Sequence, residues 1–116
     1  MISHVFHRGY DSELPASLSK KIITNLLREN LHFEGVIICD DPSMKAISNN
    51  YSIEDTFSFM INAGIDMFCL GNNLDYDVNY IPKCIDAIIS GIKKGKISMD
   101  LIDSSIARIN LLKNKI

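Results

Sequence analysis

The chain has 116 residues, of which 47% are hydrophobic and 22% are charged, the usual balance of a soluble globular protein. Its formal net charge of -2 provides no concentrated cationic surface, so neither nucleic acid nor an anionic membrane is an expected partner. No apolar run approaches the roughly 18 residues that span a bilayer, and the first residues lack the layout of a secretory signal, so the expected location is the cytoplasm.

Short apolar runs alternate with helical patterns along the chain. In chain order the predicted elements are a weak strand at residues 4–6, a helix over 18–27, a strand at 36–39, a helix over 53–61, a strand at 67–70 and two helices over 81–92 and 102–112. Each helix is predicted from apolar residues three or four positions apart. The runs VIIC and MFCL are continuously apolar, which is typical of parallel strands covered on both faces.

Several helix ends carry recognisable signals. Either Ser17 or Ser19 is a candidate N-cap for the first helix. Ser52, with an acid three residues later, introduces the second helix, and Gly64 suits a left-handed cap at its end. The last helix is expected to begin after Ser98.

The strand spacing predicts the architecture. Val5, Val36 and Met67 fall at a step of about 31 residues, the length that a (β/α)8 barrel of about 250 residues allots to each unit. A doubly wound open sheet has similar unit lengths. Because three units cannot close a barrel, residues 1–116 are interpreted as the last part of a larger α/β architecture with parallel strands.

Two adjacent carboxylates, Asp40 and Asp41, directly follow the most apolar strand. In βα barrels, catalytic groups lie at the carboxyl ends of strands, on the loops that lead into the helices. An aspartate in this position also commonly caps the next helix or faces water. Position alone leaves the structural and the catalytic interpretation open.

Three segments of the chain together resemble a known family. They read PASLSKKIITNLLRENLHFEGVIICDDPSMKAI, INAGIDMFCLGNN and GKISMDLIDSSIARINLLK. They are similar to the C-terminal part of the catalytic barrel of glycoside hydrolase family 3, in its bacterial β-N-acetylglucosaminidase branch. The resemblance covers nearly the whole chain and keeps the order and spacing of separate motifs. It implies that residues 1–116 are the C-terminal fragment of the family's catalytic domain, and that the α/β fold is a partial TIM barrel of the last three βα units with parallel strands plus a C-terminal helix.

The resemblance implies roles for four residues. Asp40 matches the family's nucleophile, and Asp41 matches a second, supporting acid. Met44 falls where the family lines its sugar pocket, and His4 falls on a strand end that faces the same site. Alternative interpretations make Met44 a gap-filling core residue and His4 a hydrogen-bonded structural histidine.

The resemblance also implies what this stretch lacks. A retaining glycosidase needs a second catalytic group about 5 Å from the nucleophile, which in this branch is a histidine on a loop upstream of the matched segments. The implied substrate is an N-acetylglucosaminide derived from peptidoglycan. The implied partner is the missing N-terminal part of the barrel, on a separate chain, and the 116 residues alone are expected to be inactive.

Two further hypotheses remain open. In the first, the chain is a non-catalytic remnant of such an enzyme. This hypothesis rests on Cys39 and Pro42, which depart from the family's pattern around the acid pair. Alternatively, the acid pair belongs to a Mg²⁺-binding signalling module, although Gly71 and two asparagines follow the next strand where such a module needs a further acid or a lysine.

No cofactor or metal site is expected. The glycines form no phosphate-binding loop. Cys39, Cys69 and Cys84 are odd in number, widely spaced and set among apolar neighbours, so they are predicted to be buried, reduced thiols.

Overall fold

The computed structural model describes residues 1–116, and its secondary structure alternates short strands with helices. The strands are β1 (Ile38–Cys39) and β2 (Met67–Phe68). The helices are a 3-10 turn at Ala16–Leu18, a π-helix at Lys21–Asn30, α1 (Lys45–Ser48), α2 (Ile53–Ala63), α3 (Tyr80–Lys93) and α4 (Met99–Lys115).

Parallel pairing organises the strands. β1 pairs with β2 in parallel, with Ile38 opposite Met67 and Cys39 opposite Phe68. On the other side of β1, Ile2 forms an isolated parallel bridge with Cys39. Its N–H donates to the carbonyl of Ile38 at 2.7 Å, and its carbonyl accepts from the N–H of Asp40 at 2.9 Å. Three chain segments therefore run side by side in one direction, and the fold is a partial TIM barrel.

The strand predicted at residues 4–6 is wrong, because the first segment pairs earlier, at Ile2. Beyond Ile2 the chain leaves the sheet, and the carbonyl of Val5 instead accepts from the N–H of Ala16 at 2.7 Å. Val5 and Phe6 are each 57% exposed. The residues that pair on neighbouring strands, Ile2 with Cys39 and Ile38 with Met67, are therefore unequally spaced along the sequence. The spacing predicted from Val5 was regular.

The core lies between the strands and the helices that cover them. Its larger cluster consists of Leu18, Ile23, Ile37, Cys39, Ile47, Met60, Ala63 and Ile65. A smaller cluster joins α2 to α3 through Phe57, Cys84 and Ala87. These apolar contacts hold the strands against the helices, and the carboxyl ends of the strands remain at the surface.

The first predicted helix exists, but it is wound as a π-helix at Lys21–Asn30. Ser19, one of the two candidate caps, accepts a hydrogen bond from the N–H of Ile22 at 3.2 Å. Thr24 and Arg28 tie one face of this helix to the turn after α2, through the carbonyls of Ala63 at 2.7 Å and Gly64 at 3.1 Å. Apolar spacing alone does not distinguish this winding from an α-helix.

The predicted ends of α2 and α4 are confirmed. Ser52 caps α2 by accepting from the N–H of Asp55 at 3.1 Å, and Gly64 ends it with a left-handed φ of 113°. Ser98 caps α4 by accepting from the N–H of Asp100 at 3.3 Å. None of the helices combines the length and the apolar content needed to cross a lipid bilayer.

Helix α3 packs through small residues on one of its faces. Its buried residues are Cys84, Ala87 and Gly91, which face α2, and a Cβ atom at Gly91 would lie 2.7 Å from Ile97 Cδ1 and 3.1 Å from Ser58 Oγ. Of the isoleucines in this helix, Ile81 is 50%, Ile85 52% and Ile89 43% exposed, whereas Ile88 packs against the smaller core cluster. An apolar helix face is thus left uncovered by the rest of this chain.

A buried carboxylate joins three elements at the amino end of β2. Asp66 has a fully buried side chain that pairs with Arg28 of the π-helix and Arg108 of α4, each at 2.7 Å. It also accepts from Ser105 Oγ at 2.7 Å and from the N–H of Ile37 at 2.9 Å. Burial would raise the pKa of Asp66, but these hydrogen bonds outweigh it and lower the pKa.

The three cysteines are free. Cys39 and Cys84 are buried as predicted, whereas Cys69 is exposed, so the prediction of burial is wrong for that residue. Cys69 follows β2 directly, where the sheet has no further strand to cover it.

Candidate active site

Asp40 is the first residue after β1, at the carboxyl ends of the parallel segments. It is half-buried, and its backbone N–H is held by the carbonyl of Ile2. Its Oδ1 accepts from the N–H of Asp41 at 2.8 Å. That is the only hydrogen bond to this carboxylate, so the Oδ2 atom is not engaged by the protein.

Asp41 is buried, and both of its carboxylate oxygens are occupied. Oδ1 accepts from the N–H of Ser43 at 2.9 Å, within its own loop. Oδ2 accepts from the N–H of Gly71 at 3.0 Å, in the loop after β2. The side chain therefore ties the tips of the two strands together, and this supporting arrangement contrasts with the free oxygen of Asp40.

His4 is placed against the same loop. Its Nε2 lies 2.8 Å from the carbonyl of Asp41, which can only accept, so Nε2 carries a hydrogen and donates. Its Nδ1 lies 2.7 Å from Ser17 Oγ. Both ring nitrogens are thus engaged, and His4 links the first chain segment to the loop that carries the acid pair.

Met44 precedes α1, and its N–H donates to the carbonyl of Asp41 at 3.1 Å. The residue is 36% exposed, so it does not fill a gap in the core. Its backbone thereby completes the turn that begins at the acid pair.

Cys39 lies directly beneath the acid pair. Its buried thiol donates to the carbonyl of Asp40 at 3.1 Å. Burial, together with the nearby Asp40 and Asp41, raises the pKa of this thiol to about 12. The group therefore stays neutral near neutral pH and adds no charge next to Asp40.

Gly71 is a site residue that the sequence analysis did not identify. A Cβ atom at this position would lie 2.8 Å from Asp41 Oδ2, so only glycine allows the carboxylate to approach the backbone N–H. The sequence feature that could have indicated this role is the position of Gly71 directly after the MFCL run. Its partner lies thirty positions away, a pairing that local patterns do not reveal.

A cavity of about 440 Å³ lies beside the acid pair, between α2 and the loops that follow β1 and β2. Pro42 and Ser43 form part of its wall, but Asp40 does not. No group of three or more His, Cys, Asp or Glu side chains is arranged to hold a metal ion. Asp40 also receives no hydrogen bond from any side chain that would act as its acid/base partner.

Comparison with known proteins gives consistent matches. The family model described as the glycosyl hydrolase family 3 N-terminal domain matches residues 1–112. The β-N-acetylglucosaminidase/β-glucosidase of Cellulomonas fimi is 30% identical over 100 residues, which cover 86% of this chain and 16% of that protein. β-Hexosaminidase LpqI of Mycobacterium bovis is 29% identical over 119 residues, which cover 97% of this chain and 29% of that protein.

The fold has counterparts among solved structures as well. The crystal structure of the β-N-acetylglucosaminidase from Thermotoga maritima superposes with a TM-score of 0.83 and 40% sequence identity, over 93% of this chain and 23% of that one. The present chain thus spans less than a third of the length of each of these three proteins.

Proposed function

Because the chain belongs to the glycosyl hydrolase family 3 N-terminal domain family, we propose that it carries the nucleophile of a retaining β-N-acetylglucosaminidase and that this nucleophile is Asp40. The observation that supports the proposal is the contrast within the acid pair. Asp41 uses both carboxylate oxygens to join two strand tips, whereas Asp40 keeps Oδ2 without a partner at the carboxyl ends of the strands. A nucleophile needs such an oxygen to reach the anomeric carbon.

The proposed reaction proceeds in two steps. Asp40 Oδ2 forms a bond to the anomeric carbon while the bond to the leaving oxygen breaks, and that oxygen takes a proton from an acid outside these residues. Water then attacks the same carbon, gives up a proton to the same group, and releases Asp40 as a carboxylate. Asp41 and His4 contribute by holding the loop that bears Asp40, because both bond to atoms of that loop. Met44 is assigned to the edge of the sugar pocket.

The proposed substrates are N-acetylglucosaminides of the kind released from peptidoglycan, handled in the cytoplasm. Support comes from the names of the relatives, which are β-N-acetylglucosaminidases and β-hexosaminidases. The acid/base and most of the sugar pocket are assigned to the remaining strands of the barrel, carried on a separate chain.

A second candidate function is that of a non-catalytic remnant. It is favoured by the absence of any side chain hydrogen-bonded to Asp40, which leaves these residues without a catalytic pair. This hypothesis shares the ancestry of the first, so the two differ only in whether completion of the barrel restores hydrolysis.

The test is reconstitution of the barrel. The 116-residue chain is co-expressed with the N-terminal part of a homologous family 3 barrel, and release of nitrophenol from a nitrophenyl N-acetylglucosaminide is followed. Hydrolysis is expected from the complex, and Asp40→Asn is expected to lower kcat at least about 10³-fold because the nucleophile is lost. Asp103→Asn, at an exposed position on α4, is the matched control with unchanged kcat.

Two results would contradict the proposal. Hydrolysis that persists in the Asp40→Asn complex would show that another group attacks the sugar. A stable, fully assembled complex without any hydrolysis would favour the non-catalytic remnant.

A further inference from the structure

Two buried serines lie in and directly after the 3-10 turn, and their hydroxyl groups face different partners. Ser17 and Ser19 are both 0% exposed. Ser17 Oγ lies 2.7 Å from His4 Nδ1, which is the only hydrogen-bond partner of that hydroxyl. Ser19 Oγ instead donates to Asp11 Oδ2 at 2.6 Å and accepts from the N–H of Ile22 at 3.2 Å. Ser19 therefore supports the fold of its own segment, whereas Ser17 bonds to the first chain segment.

The backbone fixes the turn that carries Ser17. The N–H of Ala16 donates to the carbonyl of Val5 at 2.7 Å, and the N–H of Leu18 donates to the carbonyl of Pro15 at 2.9 Å. Leu18 is 1% exposed and belongs to the larger core cluster. Because a serine side chain has a single carbon torsion with three preferred rotamers, the Ser17 hydroxyl has a defined position beside His4.

The partner of His4 Nε2 decides where the imidazole carries its hydrogen. Nε2 lies 2.8 Å from the carbonyl of Asp41, which can only accept, so this nitrogen is the N–H of the ring. In the neutral ring Nδ1 is then an acceptor, and the Ser17 hydroxyl is the donor. The hydrogen bond at one ring nitrogen sets the role of the other. Ser17 thus holds the ring so that its N–H faces the loop of the acid pair.

The carbonyl of Asp41 is the point at which this link reaches the loop. It accepts from His4 and also from the N–H of Met44, at 3.1 Å. The N–H of Asp41 in turn donates to Asp40 Oδ1 at 2.8 Å. The orientation of the Asp41 backbone therefore determines which oxygen of Asp40 is held and leaves Oδ2 without a partner.

Few other contacts join the first chain segment to this loop. Ile2 forms an isolated bridge with Cys39, and its carbonyl accepts from the N–H of Asp40 at 2.9 Å. Val5, the residue after His4, is 57% exposed and bonds to the 3-10 turn instead. His4 is therefore the side chain that extends this connection from Asp40 to the next residue of the loop.

We propose that Ser17 is a positioning residue for the loop that bears Asp40 and that it acts through His4. The Ser17 hydroxyl holds the ring, the ring N–H holds the Asp41 carbonyl, and the Asp41 N–H holds Asp40 Oδ1. Ser17 is fully buried, so it does not contact a substrate itself. This inference deepens the proposed function and rests on it for the kinetic consequence, whereas the hydrogen-bonded link is tested on the chain alone.

NMR of the 116-residue chain measures the link, at about pH 8, where imidazoles are ordinarily neutral. The parent chain should show one His4 tautomer, with the hydrogen on Nε2. Ser17→Ala removes the donor to Nδ1, so the ring ¹⁵N shifts of His4 should move toward the average of two tautomers, and the amide resonances of Asp41 and Met44 should shift. Ser17→Cys keeps a similar size with a weaker donor, so its shifts should lie between those of the parent and of Ser17→Ala.

Ser19→Ala is the matched control, because it removes the hydroxyl of an equally buried serine in the same segment. It should lower the unfolding temperature at least as much as Ser17→Ala, since Ser19 has two hydrogen-bond partners and Ser17 has one. It should nevertheless leave the His4 ring and the amides of Asp41 and Met44 unchanged. A merely structural role of Ser17 would give both variants the same effect.

Kinetics of the reconstituted complex test the consequence for the proposed reaction. Ser17→Ala is expected to lower kcat about 10-fold or more and to change KM less than about 2-fold, because a displaced loop misaligns Asp40 without removing a contact to the substrate. Ser19→Ala should retain the kcat of the parent complex.

Three results would overturn the proposal. They are a His4 ring and loop amides in Ser17→Ala that match the parent, equal shifts in Ser17→Ala and Ser19→Ala, and an unchanged kcat of Ser17→Ala in an active complex. If the parent complex does not hydrolyse the substrate, the proposed function fails by itself, and the NMR comparison still decides whether Ser17 holds the loop.

Discussion

Gly71 illustrates how a single backbone atom can position the acid pair. Its N–H holds Asp41 Oδ2 at 3.0 Å, and a Cβ atom would lie 2.8 Å from that oxygen. Asp41 in turn fixes the loop on which Asp40 is presented. The identity of residue 71 is therefore set by a carboxylate in another βα unit.

Gly71→Ala should displace Asp41 and lower both stability and activity. Loss of a hydrogen bond to a charged group costs about 1.5–3 kcal/mol, and a shift of the loop by about 1 Å can cost about 10²-fold in rate. Urea unfolding and the reconstituted hydrolysis assay measure the two effects. Gly9→Ala, whose nearest neighbour would be a flexible histidine side chain at 3.3 Å, is the matched control. If Gly71→Ala unfolds and hydrolyses like the parent chain, the positioning role is disproved.

At the scale of elements, Asp66 holds together the π-helix, α4 and Ile37, the residue directly before β1. Its side chain has no exposed surface, while those of Arg28 and Arg108 are 15% and 25% exposed. Removing one partner of a buried ion pair leaves the other charges unpaired, so Asp66→Asn should lower the free energy of unfolding by about 3–5 kcal/mol at pH 7.

The pH dependence of this effect has a defined sign. The pKa of Asp66 is lowered in the folded state, so its stabilisation is present above the unfolded value of about 3.9 and is lost as the pH falls through the folded-state pKa. Urea unfolding should therefore show a difference between parent and Asp66→Asn that shrinks below about pH 4. Exposed Asp86→Asn serves as the control. A difference that stays below about 0.5 kcal/mol at pH 7 would contradict the role of Asp66.

The elements also show what the sequence could reveal. The caps at Ser52, Gly64 and Ser98 were predictable because each depends on residues within one helical turn. The position of Asp40 at a strand end was predictable because a continuous apolar run marks a buried strand. These signals are local, and they were sufficient for the βα order and the presence of the acid pair.

Other features depend on distant partners. Ile2 pairs with β1, although a strand was predicted at residues 4–6. This pairing depends on backbone N–H and carbonyl groups of β1, so the sequence of the first segment does not reveal it. The buried face of α3 could not be predicted from apolar spacing, because the residues that approach α2 most closely, Cys84, Ala87 and Gly91, are small. The Asp41–Gly71 bond joins two units, so neither unit predicts it alone.

At the scale of the whole molecule, the proposed completion of the barrel by a separate N-terminal part predicts that this part covers the exposed isoleucines of α3. Ile85 is 52% exposed and points away from the face that packs on α2. Covering the exposed half of each isoleucine contributes about 1 kcal/mol, and burying a lysine in its place adds the larger cost of an unpaired charge. Ile85→Lys should therefore weaken binding to the N-terminal part of a family 3 barrel by about 10²-fold or more.

Isothermal titration calorimetry of the two parts measures this affinity. Ile116→Lys makes the same chemical change at a position that is 96% exposed at the end of the chain, and it should leave the Kd unchanged. If both variants lose affinity equally, or if neither loses affinity, the exposed face of α3 does not contact the N-terminal part of the barrel.

The most direct test of the account is to identify the residue that becomes bonded to the sugar. The reconstituted complex is treated with a fluorinated N-acetylglucosaminide that forms the glycosyl-enzyme faster than water removes it, and the digested chain is analysed by mass spectrometry. We expect the sugar on Asp40, whose Oδ2 is free, and none on Asp41, whose oxygens are both bonded. A sugar attached to Asp41, or to a residue outside this loop, would contradict the assignment of Asp40 as the nucleophile.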